Sequence, residues 1–410
     1  MAEIELLPKL FRTEYQKIVA VLCSLFGIEH IEIAEDLVSD TFLAATETWS
    51  LKGLPENPTA WLYTVAKNKT KNYLRHHSIF EQRLAPELRY SSDKAEEIEI
   101  DLTVKNISDS QLAMIFTVCD PVISSEAQVA LALNLLCGFG FTEIADAFLT
   151  SKDVVYKRVS RAKDKLREAK IRIEQPSISK INDRLENVLT TIYLLFSEGY
   201  YSVSQNSTLR KDVCAEAMRL TQLLIDHKTT NLPQVKALLA LMCFHASRFE
   251  ARTNVLGEQI LYDDQDDTLW DQSLIRAGTD FLNLASTGTE ISKYHLEAGI
   301  AYWHTKKENT ADKWENILQL YNQLLILQYS AIAALNRTFA LSKARGKAAA
   351  IAEAEKLNLK DDHFYYSLLG YLYSGLDNTL ALQHFHRALQ LAKSAADQAM
   401  MQKHIDSHVP

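Results

Sequence analysis

This sequence predicts an all-α fold, and three observations carry the prediction. Apolar residues recur at three- and four-residue spacing almost from end to end, the period that lines one face of an α-helix. No run of β-branched residues alternates in the two-residue manner of a strand. Glycine (12) and proline (8), which punctuate turns, are scarce among 410 residues. A chain this long exceeds what one core serves, so two or three domains are expected. Hydrophobic residues make up 47% and charged residues 23%, the ordinary globular range.

Four stretches follow one another. Residues 8–78 form a compact helical block. Within it AEDLVSDTFLAATETW reads as an amphipathic helix, with Glu35, Asp36 and Asp40 lying close to Leu37, Thr41 and Phe42. After LKGLPENPT comes AWLYTVAKNKTKNYLRHH, where Trp61, Leu62, Val65, Ala66 and Tyr73 face inward. Lys67, Lys71 and Arg75 make a stripe at four-residue spacing, flanked by Asn68 and Asn72. Cations, amides and aromatics on one surface suit capture of a separated DNA strand. The competing reading is a surface helix with a core tryptophan.

Residues 79–108 are polar, acidic and poorly periodic, and read as a linker. Residues 109–172 form a second helical block that ends in a helix-turn-helix. A periodic helix from Glu126 to Leu136 is broken by Gly138 and Gly140, and Thr142 is expected to cap the short helix TEIADAF. Ser151 is a good N-cap for a helix from Lys152 to Arg172. On it Val155, Val159, Ala162, Leu166 and Ala169 form the buried stripe, and Lys157, Arg161 and Lys165 an outward one.

A recognition helix needs such an apolar face against its supports and a cationic face for the major groove. Lys152, Asp153, Tyr156, Lys157, Ser160 and Arg161 are the base-edge candidates. Lys163, Lys165 and Arg167 are the phosphate candidates. The net charge of −8 argues against nucleic acid as a partner, but Ser151–Arg172 carries nine basic residues against three acidic ones.

Residues 180–407 are a long series of amphipathic helices. Tyr366, Leu369, Gly370, Tyr373, Ala381, Phe385 and Ala388 fall close to the tetratricopeptide (TPR) pattern, with a turn about one residue short. Upstream units diverge from that pattern, so the domain is read as TPR-like. The five cysteines are scattered and form no CxxC pair, which suits a reducing cytoplasm. The start MAEIELLPKLF lacks a basic leader, and no stretch approaches twenty uninterrupted apolar residues. A soluble cytoplasmic protein without a membrane partner is expected.

The ordered motifs EDLV-SD-TF, NP-T-AWL-YT-VA-KN, an acidic linker and a helix-turn-helix ending RAK-D-KLR resemble the sigma-70 family over residues 8–172. They are most similar to its extracytoplasmic-function type, which keeps only the second and fourth sigma domains. TIYLLFSEGYYS, DVCAEAMRL, LALMCFHASRFEAR, YDDQDDTLWDQ, YHLEAGIAYWH and AALNRTFAL look like the C-terminal extension of the subgroup with a TPR domain.

The resemblance implies a sigma factor that binds core RNA polymerase and directs initiation at promoter DNA. Residues 8–78 would be region 2 and residues 109–172 region 4. Glu35, Asp36, Leu37, Asp40 and Phe42 match the surface that docks on the clamp helices of the polymerase β′ subunit. Trp61, Lys67, Asn68, Lys71, Asn72 and Arg75 lie in the part that melts and reads the minus-ten element. Lys152, Asp153, Tyr156, Lys157, Ser160, Arg161 and Lys165 lie on the reader of the minus-thirty-five element. One departure is VCDP at Val118–Pro121, where the subgroup shows a Cys-Cys-His-Pro-like run; Asp120 replaces the histidine. Any metal or redox role of that run should be lost here.

Other signals carry less. Asp263, Asp264, Asp266 and Asp267 lack the ordered ligand positions of an EF-hand and read more simply as the acidic N-terminus of a helix. No HExxH, GxSxG, Walker or Rossmann fingerprint occurs, so neither an enzyme nor a cofactor or metal is expected. Glu198 and Tyr200, in LLFSEGY, are candidates for a contact between extension and sigma domains, against the alternative of a helix C-cap at Gly199. A protein or peptide partner of the repeat domain is a further expectation. The competing function is a helix-turn-helix regulator with a TPR-like sensor.

Overall fold

The computed structural model describes residues 2–76, 100–148, 150–200, 207–252, 254, 260, 262–393 and 395–407. Within them it is built of eighteen α-helices and no strand, as the periodicity predicts. None of these helices is long and apolar enough to cross a membrane. The chain divides into two compact units, residues 1–231 and 232–410.

The first unit opens with α1 (Ala2–Phe26), α2 (Ile31–Lys52) and α3 (Pro58–His76). Gly27, at φ 82, ends α1 with a left-handed turn that side chains rarely adopt. Ile18 and Leu22 of α1, Ala34, Val38 and Ala45 of α2, and Leu62 and Ala66 of α3 form their shared core. Asn57 opens α3 by accepting the Ala60 N–H at 3.0 Å. Tyr63 of α3 donates to Glu14 of α1 at 2.6 Å.

Next comes α4 (Val104–Val118), then α5 (Ser125–Leu135), α6 (Phe141–Ala147) and α7 (Lys152–Glu168). Helix α4 begins inside the stretch expected as a linker, because Thr103 caps it by accepting the Asn106 N–H. Most of that expected linker, 79–99, lies outside the described residues. Gly140, not Thr142, is the N-cap of α6, and the Glu143 carboxylate takes the Gly140 N–H at 2.8 Å. Ser151 caps α7 as expected. That helix ends at Glu168 rather than Arg172, since Lys170 turns to φ 52, and Ala169 is exposed rather than buried.

The first two helices of the expected repeat domain, α8 (Ile178–Tyr200) and α9 (Ser207–Asp226), belong to the first unit. Polar side chains explain why. Arg184 of α8 donates to Phe116 O at 2.6 Å and pairs with Asp120 at 3.0 Å. Asp120, where the resembled subgroup shows histidine, is therefore the counter-ion of a neighbouring helix. Asn187 donates to Cys119 O at 2.5 Å and Thr191 to Gln128 at 2.6 Å. Arg219 of α9 reaches Leu136 O at 2.8 Å. Gly199 is inside α8 rather than its C-cap. It lets α9 approach so closely that a Cβ would lie 2.7 Å from Arg210 O and 2.8 Å from Cys214 Sγ.

The second unit contains α10 (Pro233–Ala246), α11 (Gln272–Ala285), α12 (Lys293–Trp303), α13 (Ala311–Leu327), α14 (Ala331–Arg345), α15 (Lys347–Leu357), α16 (His363–Tyr373), α17 (Asn378–Leu391) and α18 (Ala395–Asp406). Trp314, Ile317, Ala340, Ala350 and Leu372 share one core. Gly370 of α16 faces Phe385 of α17, and a Cβ there would lie 2.6 Å from that ring. Ala381, Phe385 and Ala388 are buried at that seam, as the repeat pattern predicts. The acidic run divides its labour: Asp266 caps the turn Asp267–Leu269, and the following Asp271 caps α11.

Gly199→Ala should destabilise the first unit by about 1–3 kcal/mol, because Arg210 O is backbone and moves little. Thermal unfolding followed by helicity checks this; an unchanged first transition would show that α8 and α9 have room to separate.

Candidate nucleic-acid interface

Two cationic surfaces were expected, and the fold places both on helices of the first unit. On α7, Val155, Val159, Ala162 and Leu166 are buried, which fixes the rotation of the helix about its axis. Lys152, Asp153, Tyr156, Lys157, Arg161 and Lys165 are then exposed and Ser160 half-buried. The Tyr156 ring stands edge-on to Phe141 of α6 at 5.5 Å, so α6 orients it. Lys157, Arg158, Arg161 and Lys165 line one shallow depression beside Ser124 and Ala127 at the start of α5. Arg158 also reaches Glu126 at 3.5 Å. A row of cations beside a helix start suits a phosphate backbone.

On α3, Asn68, Asn72 and Arg75 are exposed and Lys67 and Lys71 half-buried. Trp61 is half-buried, with its ring 5.3 Å from that of Trp49 on α2. It is thus part core and part surface, between the two sequence readings.

Helix α2 separates its expected residues into two kinds. Asp36 and Asp40 are exposed, whereas Leu37 and Phe42 are buried. Phe42 lies 5.1 Å from Phe11 and 5.8 Å from Tyr15 of α1, so it holds the helix rather than presenting a contact. Glu35 is occupied. Lys163 of α7, 7% exposed, donates to its carboxylate at 2.9 Å and lies 3.8 Å from Glu32. Arg167 pairs with the same Glu32 and donates to Ile28 O at 3.3 Å.

Two of the three expected phosphate contacts are therefore turned inward; only Lys165 is free of this arrangement. Their solvent-facing assignment from the sequence is corrected. Burial strips water from Lys163, and the carboxylates of α2 replace it. Desolvation raises the Glu32 carboxyl, but the hydrogen bond from Arg167 and the charges of Lys163 and Arg167 outweigh it, and its pKa falls below the usual carboxylate range.

Glu32 was missed in the sequence. Its only signal is a three-residue step to Glu35 that matches the four-residue step from Lys163 to Arg167, and no local pattern pairs segments some 130 positions apart. Tyr200, expected at an interdomain contact, is instead a core residue, 2% exposed and stacked on Phe196. Glu198 lies within electrostatic reach of Arg158 on α7 and Glu126 on α5. Although exposed overall, its carboxyl is pushed up by desolvation, while Arg158 pulls it down and Glu126 pushes it up.

Residues 10–79 match the sigma-70 region 2 family, and residues 184–286 match DUF6596, a family of unknown function. The second match begins in α8 and runs beyond residue 231, so it spans the boundary between the two units. Uncharacterized protein R00370 of Rhizobium meliloti (strain 1021) is 32% identical over 383 residues, which cover 92% of this chain and 90% of its own. No solved structure matches.

A double-mutant cycle of Lys163→Met and Glu35→Gln should give a coupling of about 0.5–3 kcal/mol in the stability of the first unit. Additive losses would mean that the pair does not form in solution. The depressed Glu32 carboxyl adds a pH dependence with a definite sign. A group held below its ordinary value of about 4.5 contributes stability present above that value and lost as pH falls through the folded pKa. Unfolding between pH 6 and 3 should therefore show a steeper decline for the native chain than for Arg167→Met.

Proposed function

The chain belongs to the same family as uncharacterized protein R00370 and carries a sigma-70 region 2 domain; on that premise we propose that it is an RNA polymerase sigma factor of the extracytoplasmic-function type, with a TPR-like helical domain after it. The observation that carries the reading is the region 2 match at residues 10–79, followed in the same unit by a helix with a free cationic face. A DNA-binding regulator needs only that last helix.

In this reading Asp36, Asp40 and Glu35 of α2 dock on the β′ clamp helices, with Leu37 and Phe42 as the packing that holds α2 in place. Trp61, Lys67, Asn68, Lys71, Asn72 and Arg75 of α3 melt and read the minus-ten element. Lys152, Asp153, Tyr156, Lys157, Ser160 and Arg161 read the minus-thirty-five element, and Lys165 binds phosphate. The extension, α8 onward, regulates these domains and couples them to a protein or peptide partner. The Lys163–Glu35 and Arg167–Glu32 pairs give the free chain a closed form. Polymerase competes with α7 for Glu35, and its binding releases two more cations for phosphate. The protein works in the cytoplasm and is not an enzyme.

Transcription in vitro with purified core polymerase tests the function: adding the chain should create new start sites. Arg161→Ala should lower use of those promoters by the equivalent of about 1–3 kcal/mol, with helicity unchanged, because Arg161 lies off the buried stripe. Duplex DNA binding by the free chain should be weak and unspecific. A nanomolar, sequence-specific complex without polymerase would instead support the helix-turn-helix regulator. Truncation after Asn231, which keeps α8 and α9 on the helix-turn-helix, should strongly change activity; a truncated chain as active and selective as the whole one would remove regulation from the second unit.

A further inference from the structure

In the second unit one aromatic ring gathers three cations. The Tyr262 ring lies 5.5 Å from the Arg248 guanidinium, 5.4 Å from Lys307 Nζ and 5.1 Å from Lys313 Nζ. None of the three makes a salt bridge among the described residues. Asp263 and Asp266 act on the lysines only through space, and both carboxylates are exposed to water. Lys307 has spent its protons on the carbonyls of Tyr262, Asp263 and Gln265, at 2.7–3.0 Å. Lys313, 1% exposed, gives two protons, to Tyr262 Oη at 3.0 Å and Lys306 O at 2.5 Å, and keeps one.

The same cluster holds buried polar atoms with no partner. Trp270, 4% exposed and 6.1 Å from the Tyr262 ring, leaves its indole N–H unbonded. Arg248 Nε is likewise unbonded, as are His304 Nδ1, on a ring 5.1 Å from Tyr262, and Gln265 Oε1. Buried donors are costly to leave unpaired, and a cation with a spare N–H is costlier still. Two unused N–H donors among three cations that lack a direct ion pair favour a negatively charged acceptor. The unused acceptor at Gln265 calls for a donor on the same ligand.

We propose that this cluster is a binding site for a phosphate group, with Arg248 and the Trp270 N–H as donors, the two lysines supplying charge, and a phosphate O–H donating to Gln265. A carboxylate meets the donors but brings no proton for Gln265. The field at the cluster agrees with an anion. Burial, then the charges of Arg248 and Lys313, holds His304 down at about 3. Burial lowers Lys313 to about 8, with Asp263 opposing and Arg248, Lys307 and Lys343 adding to the fall. An anion relieves that repulsion, so its binding should weaken as pH rises above 8, where Lys313 loses its proton.

The experiment is isothermal titration of the full-length chain with inorganic phosphate at pH 7, with ionic strength held constant by sodium chloride and acetate as the carboxylate arm. We expect saturable binding of one phosphate per chain, with acetate weaker. Arg248→Gln should weaken phosphate binding at least tenfold, and Arg248→Lys less. Trp270→Phe keeps most of the ring and removes the N–H, so it tests the same site if Arg248→Gln fails to fold. Absence of saturable binding overturns the proposal, as does unchanged affinity in either folded variant, and acetate binding as tight as phosphate overturns the choice of ligand. None of these readouts involves polymerase, so the phosphate site and the sigma reading fail or survive separately.

Discussion

A lysine ammonium removed from water has to be met by opposite charge, and Lys163 is such a group. Its side chain is 8% exposed, and Glu35 and Glu32 of α2 supply the compensation. Ala162 and Leu166 beside it are buried in the same packing, so the ion pair and the apolar stripe set the rotation of α7 together. With that rotation set, Lys157, Arg161 and Lys165 must face out. The polar pair contributes specificity more than net stability, because desolvation offsets much of the Coulomb attraction inside a protein. It defines which face of each helix is committed and which is left for another molecule.

The second constraint is the seam that joins α4 and α5 to α8. Gln128 donates to Asp120 O and Ile123 O, both at 3.0 Å, and accepts from Thr191, while Arg184 closes the ion pair with Asp120. Gln128, Thr191 and Asp120 are all paired here and only Arg184 Nε is left without an acceptor, so the network ties the helices together through most of its polar atoms. The consequence is architectural. Helix α8, which opens the extension, is fastened to α4 and α5, and Glu198 sits in the field of Arg158 and Glu126.

The second unit also closes helix contacts at small residues, as α8 and α9 do at Gly199. Gly278 meets Phe244 and Gly370 meets Phe385, in each case with no room for a Cβ. Around Tyr262 four buried polar atoms without a hydrogen-bond partner gather in one cluster: Arg248 Nε, Gln265 Oε1, Trp270 Nε1 and His304 Nδ1. Local departures from polar satisfaction of this kind concentrate where a molecule meets its ligand.

Periodicity alone determined the all-α class, the cap at Ser151, the burial of Val155, Val159, Ala162 and Leu166, and the outward row of Lys157, Arg161 and Lys165. These depend on residues three or four apart, within reach of a single helix turn. The seam at Gly370, Ala381 and Phe385 was legible for the same reason, as two adjacent helices share it. Tertiary structure decided the rest. It turned Lys163 and Arg167 inward, buried Leu37, Phe42 and Tyr200, and moved α8 and α9 from the expected repeat domain to the first unit. Each of those outcomes rests on partners many tens of residues away, Glu35 for Lys163 and Asp120 for Arg184. A charged side chain looks the same in sequence whether water or a distant counter-ion will solvate it.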